Sequence, residues 1–172
     1  MRISILGNAG SGKSTLSRGI AERFGMPVLD LDTVAWVPGR IAVARPADAA
    51  IADVRRFCST HLDWVVEGCD ASLIAGTFPF GATLLFLNPG IEQCLANCRT
   101  RPWEPHKDTS QAEHNDRLES LLSWVRDYEI RRDDMSLAAH RACFDACAGD
   151  KYELTEQVDL SAVSADKFDW LR

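Results

Sequence analysis

Arg2-Ile-Ser-Ile-Leu-Gly-Asn-Ala-Gly-Ser-Gly-Lys-Ser14 decides the fold. Arg2 to Leu6 reads as a short buried strand. Gly7, Asn8, Ala9, Gly10, Ser11, Gly12, Lys13 and Ser14 then spell G-x-x-x-x-G-K-[ST]. From Lys13 to Phe24 the apolar residues Leu16, Ile20 and Phe24 recur every fourth position, with Gly25 where a helix C-cap glycine belongs. A glycine loop between a strand and a helix is the context this motif requires. Glycines let the loop curl so that successive backbone N–H groups face inward, and the helix adds the positive end of its dipole. Lys13 reaches the β- and γ-phosphates as a mobile charge, and the Ser14 hydroxyl offers a ligand for Mg²⁺. The stretch predicts binding of a nucleoside triphosphate.

Outward from it, short apolar strands alternate with helices. Pro27 to Asp32 reads as a second strand ending in two carboxylates. Pro46 to His61 predicts a helix with Ile51, Val54, Phe57 and Cys58 on one face. Trp64-Val65-Val66 is a third strand, ending in Glu67-Gly68, and Ala82 to Leu87 a fourth. Asn88-Pro89 then reads as an N-cap followed by proline at the first helical position, with Ile91, Cys94, Leu95 and Cys98 continuing that helix. Pro102 and Pro105 break the pattern over 101–111. A long helix follows, carrying Leu118, Leu121, Leu122, Val125 and Tyr128. Ser136 caps a helix through Phe144, Gly149 ends it, Tyr152-Glu153-Leu154 is a fifth strand, and a weakly patterned helix starts near Ser161. This alternation predicts an α/β fold of three layers, a parallel sheet with helices on both faces.

Composition narrows the function classes. The 172 residues suffice for one domain with a real core. No apolar run approaches the roughly 20 residues that span a bilayer, and Met1-Arg2 leads into the first strand without a signal-peptide h-region. The expectation is a cytoplasmic protein with no membrane partner. A formal net charge of −6 argues against a broad grip on nucleic acid. Six cysteines in that compartment are expected as reduced thiols. Cys94/Cys98 and Cys143/Cys147 are each four apart, which would allow a shared four-thiolate site, but structural zinc favours the tighter C-x2-C. Burial as small apolar residues is the expectation. His106, His114 and His140 show no metal spacing.

The loop alone does not name a reaction. No N-K-x-D guanine-reading motif and no L-S-G-G-Q stretch is present, and the chain is short for an AAA motor with its lid domain. Small kinases remain. Gly7–Thr15, Val28-Leu29-Asp30-Leu31-Asp32, Val65-Val66-Glu67-Gly68 and Arg99-Thr100-Arg101-Pro102-Trp103 together resemble the shikimate kinase and adenylate kinase-like branch of P-loop proteins, and more closely its bacterial shikimate-kinase-like or topology-modulation-like members. The resemblance implies strand order 2-3-1-4-5, a lid near 99–111 within a single domain over 1–172, ATP and Mg²⁺ as cofactors, and transfer of a phosphoryl group to a small-molecule hydroxyl. It also implies roles. Thr15 belongs to the nucleotide-binding loop. Asp30 lies near Mg²⁺ with Ser14, and Asp32 holds or deprotonates the acceptor hydroxyl. Arg101 is the lid arginine that closes on the transferred phosphoryl, Arg99 its neighbour at adenine or phosphate, and Arg131 a contact for an anionic acceptor.

The chain departs from shikimate kinases where they carry a glycine-rich acceptor segment: Glu67-Gly68-Cys69-Asp70 stands there instead. The departure suggests an acceptor other than shikimate, with Glu67 as base, hydroxyl acceptor or holder of a metal-bound water. Trp36 either stacks on a ring-bearing acceptor or packs beneath the acceptor-binding helix. A nucleoside or nucleoside monophosphate kinase is the alternative, with Arg40, Arg45, Arg55 and Arg56 as phosphate contacts. A nucleotide-dependent regulatory ATPase is the third reading.

Overall fold

The computed structural model describes residues 1–37, 43–100 and 111–156, with side chains from residue 118 in the last stretch. Most of the expected lid, Arg40 and the helix from Ser161 lie outside them.

Five strands form one parallel sheet in the order β2-β3-β1-β4-β5. They are β1 (Arg2–Gly7), β2 (Val28–Asp30), β3 (Trp64–Gly68), β4 (Thr83–Leu87) and β5 (Lys151–Leu154). The expected order and class hold. The first strand is central because both its faces are apolar, and β3 and β4 beside it are equally buried. Between the strands run α1 (Lys13–Phe24), α2 (Asp32–Ala35), α3 (Ala47–Thr60), α4 (Ala71–Ala75), α5 (Ile91–Arg99), α6 (Gln111–Arg126) and α7 (Leu137–Ala146).

Alternation along the strands splits the core. Leu6, Val66, Leu84 and Phe86 face α3, α4 and α7. Ile3, Ile5, Val65 and Leu85 face Leu16 and Ile20 of α1. A third cluster joins α5 to α6 through Cys94, Leu95, Cys98, Leu122 and Val125, with Ala9 of the glycine loop packed against it. At about 25 cal/mol per Å² of apolar surface, each fully buried Leu or Ile here contributes roughly 2 kcal/mol. All strands point the same way, so the ends of β1, β2 and β3 meet at one edge. There Asp30 is in register with Glu67, and Glu67 with Ile5.

Some local readings are corrected. The second strand stops at Asp30, and Asp32 begins α2, because the Asp30 carboxylate accepts from the Asp32 N–H at 2.9 Å and turns the chain. Asn88 does not cap α5. Its amide donates to Glu153 on β5 at 3.0 Å, and Gly90, at φ 88°, holds the cap position. The short helix α4 has no counterpart in the sequence reading; Asp70 caps it by accepting from the Leu73 N–H at 2.9 Å. Ser136 caps α7 as expected, accepting from Ala139 N–H at 3.2 Å.

The six cysteines are free, all buried except the half-buried Cys69. Cys94 and Cys98 pack between α5 and α6, whereas Cys143 and Cys147 belong to the α7 face of the sheet. The two pairs serve different cores, and no group of three or more His, Cys, Asp or Glu side chains is placed to hold a metal among the described residues. No helix among those residues is long and apolar enough to cross a membrane.

Candidate nucleotide and acceptor site

The loop between β1 and α1 is held from outside, leaving its concave side free. Gly10 and Gly12 adopt φ 77° and 96°, a region that penalises any residue with a Cβ. At Gly10 a Cβ would also come within 2.3 Å of the Cys94 carbonyl oxygen and 2.8 Å of Cys98 Sγ. Helix α5 grips the loop, since Asn97 donates its amide to the Gly10 carbonyl at 2.8 Å and is itself oriented by Gln93 at 2.9 Å. Asn8 reaches the other way. Its Oδ1 accepts from Ala9 N–H at 2.9 Å, and its amide donates to the Val125 carbonyl of α6 at 3.3 Å. Asn8 is buried, so its side chain braces the loop rather than facing a ligand.

Whether these residues suit a polyphosphate is tested by what they leave unused. The Ser11 hydroxyl is buried without a hydrogen-bond partner, a state that costs on the order of 1–3 kcal/mol. Lys13 is buried as well, donating to the Asn8 carbonyl at 3.0 Å and to the Cys69 sulfur. Burial alone pushes the Lys13 pKa down, but the fields of Cys69, Glu67 and Asp32 outweigh it and the ammonium is held above its usual range. A buried cation, an orphaned hydroxyl and positive-φ glycines at a helix start fit a phosphate group.

Glu67 is 4% exposed. Burial raises its pKa; Lys13 and a hydrogen bond from the Ser14 hydroxyl pull it back, and Asp30 and Asp32 push it up again, leaving it raised. Glu67 and Ser14 line the same cavity, which brings a carboxylate to the side of the hydroxyl expected to ligate Mg²⁺. Asp30, by contrast, is exposed and has one oxygen on the Asp32 N–H. The donor set of Ser14, Glu67 and Asp30 is all oxygen, as Mg²⁺ demands.

Beside the loop opens a cavity of about 280 Å³. Lys13, Ser14 and Ala9 of the loop, the carboxylates Asp30, Asp32 and Glu67, and Gly68 and Cys69 at the end of β3 line it. Trp36, Leu121, Trp124 and Met135 supply its apolar lining. Trp36 packs against the sheet core and donates its indole N–H to Asp32 at 3.4 Å, so it both packs and faces the cavity. The structure thus brings together Lys13, Ser14, Asp30, Asp32, Trp36 and Glu67. Thr15 is exposed on α1 and Arg99 exposed at the end of α5; Arg101 lies outside the described residues.

Arg131 is not among the lining residues but stacks on Trp124, which is. Its guanidinium lies 3.5 Å from the centre of the Trp124 ring and donates to the Met135 carbonyl at 2.8 Å. Its side chain is 10% exposed, with Asp133 at 3.6 Å, and its Nε and one terminal nitrogen make no hydrogen bond. Arg45 and Arg56 are both paired with Asp53 at 2.8 Å.

No protein-family profile matches the chain, and no curated protein matches its sequence. Solved structures do. A sugar kinase from Janibacter sp. HTCC2649 superposes with a TM-score of 0.57 at 10% identity, over 99% of this chain and 93% of that one. A gluconokinase from Sinorhizobium meliloti 1021 gives 0.53 at 18% identity, over 93% and 85%. A deoxyadenosine kinase from M. mycoides with bound dATP gives 0.52 at 10%, over 94% of each. The chain shares its fold with these three kinases.

Several residues that shape the site escaped sequence reasoning. Trp124 and Met135 reach the cavity only through the packing of α6 and the 131–136 segment. Asn97 carries no motif. Cys69 was read as core, yet its thiol meets Lys13. An aromatic interrupting the Leu121-Leu122…Val125 stripe, at Trp124, was the one signal that could have been followed.

Proposed function

We propose that this protein is an ATP- and Mg²⁺-dependent kinase that phosphorylates a hydroxyl of a small molecule. The observation carrying this reading is the cavity itself: residues of the phosphate loop, the carboxylates Asp30, Asp32 and Glu67, and two tryptophans line one space. The three kinase neighbours support it at the level of fold.

Loop N–H groups and Lys13 hold the β- and γ-phosphates. Ser14 would hold Mg²⁺, with Glu67 and Asp30 as the neighbouring carboxylates; the ion, when bound, would supply charge neutralisation for the phosphates. Asp32 orients the acceptor hydroxyl and takes its proton as the acceptor oxygen bonds to the γ-phosphorus and the bond to the β–γ bridging oxygen breaks. Asp32 is kept available by Trp36, whose N–H occupies one carboxylate oxygen. Arg101, with Arg99 beside it, supplies positive charge to the transferred group. Arg131 is a candidate partner for an anionic portion of the acceptor, on the strength of its Nε, which makes no hydrogen bond; its Nη1 already pairs with Asp133 at 3.6 Å.

A nucleoside kinase is the second reading, favoured by the flat rings of Trp36 and Trp124 at the acceptor side. A monophosphate acceptor is disfavoured, because Arg45 and Arg56 are spent on Asp53. The test is γ-labelled ATP with a panel of neutral sugars, sugar acids, nucleosides and hydroxylated amino acids. Label should pass to one class, Asp32→Asn should lower kcat at least a hundredfold with nucleotide affinity retained, and Lys13→Ala should lose that affinity tenfold or more. Label released only as inorganic phosphate, whatever is added, would instead establish the regulatory ATPase.

A further inference from the structure

His140 on α7 has no exposed surface, and it does not line the cavity. Its ring meets Phe86 edge-on at 5.9 Å and Tyr128 at 5.3 Å. Nε2 lies 2.6 Å from the Cys69 carbonyl oxygen and Nδ1 2.7 Å from the Tyr128 hydroxyl. A carbonyl can only accept, so Nε2 carries the hydrogen. The neutral ring then accepts at Nδ1, and Tyr128 donates. Burial keeps the ring neutral, its pKa lowered to about 4. One tautomer satisfies every polar atom of the pair, which in a dry interior makes the network rigid as well as stable.

The two partners belong to different elements that line the cavity. Cys69 follows β3 and lines it with Gly68. Tyr128 lies in the 3-10 turn of Asp127–Glu129 directly after α6, the helix that contributes Leu121 and Trp124 to the lining. The same turn region is tied in twice more. Arg131 covers Trp124 at 3.5 Å and lies 5.9 Å from the Tyr128 ring. Asp134 accepts from Ala71 N–H at 3.1 Å through its carbonyl and from Ser72 N–H at 2.8 Å through its carboxylate.

We propose that Tyr128 and His140 are positioning residues that set the shape of the acceptor side of the cavity, by pinning the end of helix α6 to the Cys69 carbonyl after β3. Naming that side for the acceptor rests on the kinase reading; the pin itself does not. His140 touches no reacting group. It acts through Cys69, whose backbone it fixes and whose thiol meets Lys13.

Cysteine chemistry gives a readout confined to the pinned segment. The full chain is treated with iodoacetamide, and each cysteine is followed by peptide mass spectrometry. Compared are wild type, His140→Phe (ring packing kept, both hydrogen bonds lost), His140→Gln (an amide donor kept toward Cys69) and Tyr128→Phe (only the hydroxyl lost). The expected result is at least fivefold faster labelling of Cys69 in His140→Phe. Cys58, Cys94, Cys98, Cys143 and Cys147 should stay within twofold, and His140→Gln should stay within twofold at Cys69. Tyr128→Phe should also accelerate Cys69, and it decides the matter if His140→Phe does not fold. Calorimetry should give an affinity for Mg²⁺-ATP within threefold of wild type in every folded variant. Equal acceleration at all six cysteines, or none at Cys69, overturns the pin. Failure of the kinase reading would show as no phosphoryl transfer in wild type, with the labelling pattern unaffected.

Discussion

At the scale of single residues, the phosphate loop depends on positions where a side chain has no room. Gly10 and Gly12 both hold positive φ, but only Gly10 is also crowded, with Cys94 and Cys98 of α5 against it. Alanine at Gly12 meets nothing within 4 Å and should destabilise by about 1 kcal/mol, the left-handed backbone penalty alone. Alanine at Gly10 adds a collision with a backbone carbonyl that cannot swing away. The expected loss is about 2–4 kcal/mol, together with loss of ATP binding because α5 must move. Urea denaturation of the two variants measures the difference; equal losses would mean that the α5 contact does not constrain the loop. The loop residues were legible in the sequence because a fixed spacing of glycine, lysine and hydroxyl has one mechanical meaning. Asn8 was legible only as a loop member, and its use as a brace toward Val125 required the tertiary structure. Asp32 was placed in the right cavity from the wrong element: the strand reading ran through it, while the Asp30 turn had already started a helix.

Helices and turns carry the next layer, and there the titration of His140 is the clearest signature. Its pKa of about 4 in the folded chain lies below the 6.5 of an unfolded one. Above pH 6.5 both states hold it neutral and the buried network is intact. As pH falls from 6.5 toward 4 the unfolded chain takes the proton first, so stability is lost over that window, by on the order of 3 kcal/mol in all. Asp70 works the opposite way. Burial and the neighbouring Asp134 raise it to about 6, so its proton favours the folded state and that contribution fades as pH climbs from about 4 to 6. Comparing wild type with His140→Gln isolates the histidine: the stability gap between them should shrink by on the order of 3 kcal/mol from pH 7 to pH 4, read from chemical denaturation at each pH. A constant gap would mean that the folded chain takes the proton as readily as the unfolded one. Short elements of this kind were the least legible. Helix α4 and the turn at Tyr128 are too brief to show a period, and their partners lie far along the chain, as with Asp70 and Asp134. Asn97→Ala belongs here too. Without its hold on the Gly10 carbonyl the loop should bind nucleotide three- to tenfold more weakly with unchanged fold, by calorimetry and circular dichroism.

For the molecule as a whole, the sheet was the most legible feature, since short apolar runs separated by amphipathic helices leave few alternatives to a covered parallel sheet. The order of its strands came from resemblance to the kinase branch, and the coordinates agree. What periodicity could not supply is how three separate cores share one edge, because contacts among α5, α6 and the loop are fixed by shape complementarity and not by spacing. Since the phosphate loop is braced by two of these helices, ligand binding should stabilise the entire fold. At free Mg²⁺-ATP one hundred times its Kd, linkage predicts about 2.7 kcal/mol. That corresponds to a Tm rise of about 5–10 °C for a chain of this size, and Lys13→Ala should show almost none at the same concentration.

The central position of β1 bears on how the protein is born. Its neighbours are Trp64–Gly68 and Thr83–Leu87, so this strand leaves the ribosome before both and waits for them before it is enclosed. At about 5–20 residues per second that interval is several seconds. Throughout it Ile3, Ile5 and Leu6, each with no exposed surface in the finished fold, are open to solvent on a nascent chain, where holdase chaperones compete with aggregation for them.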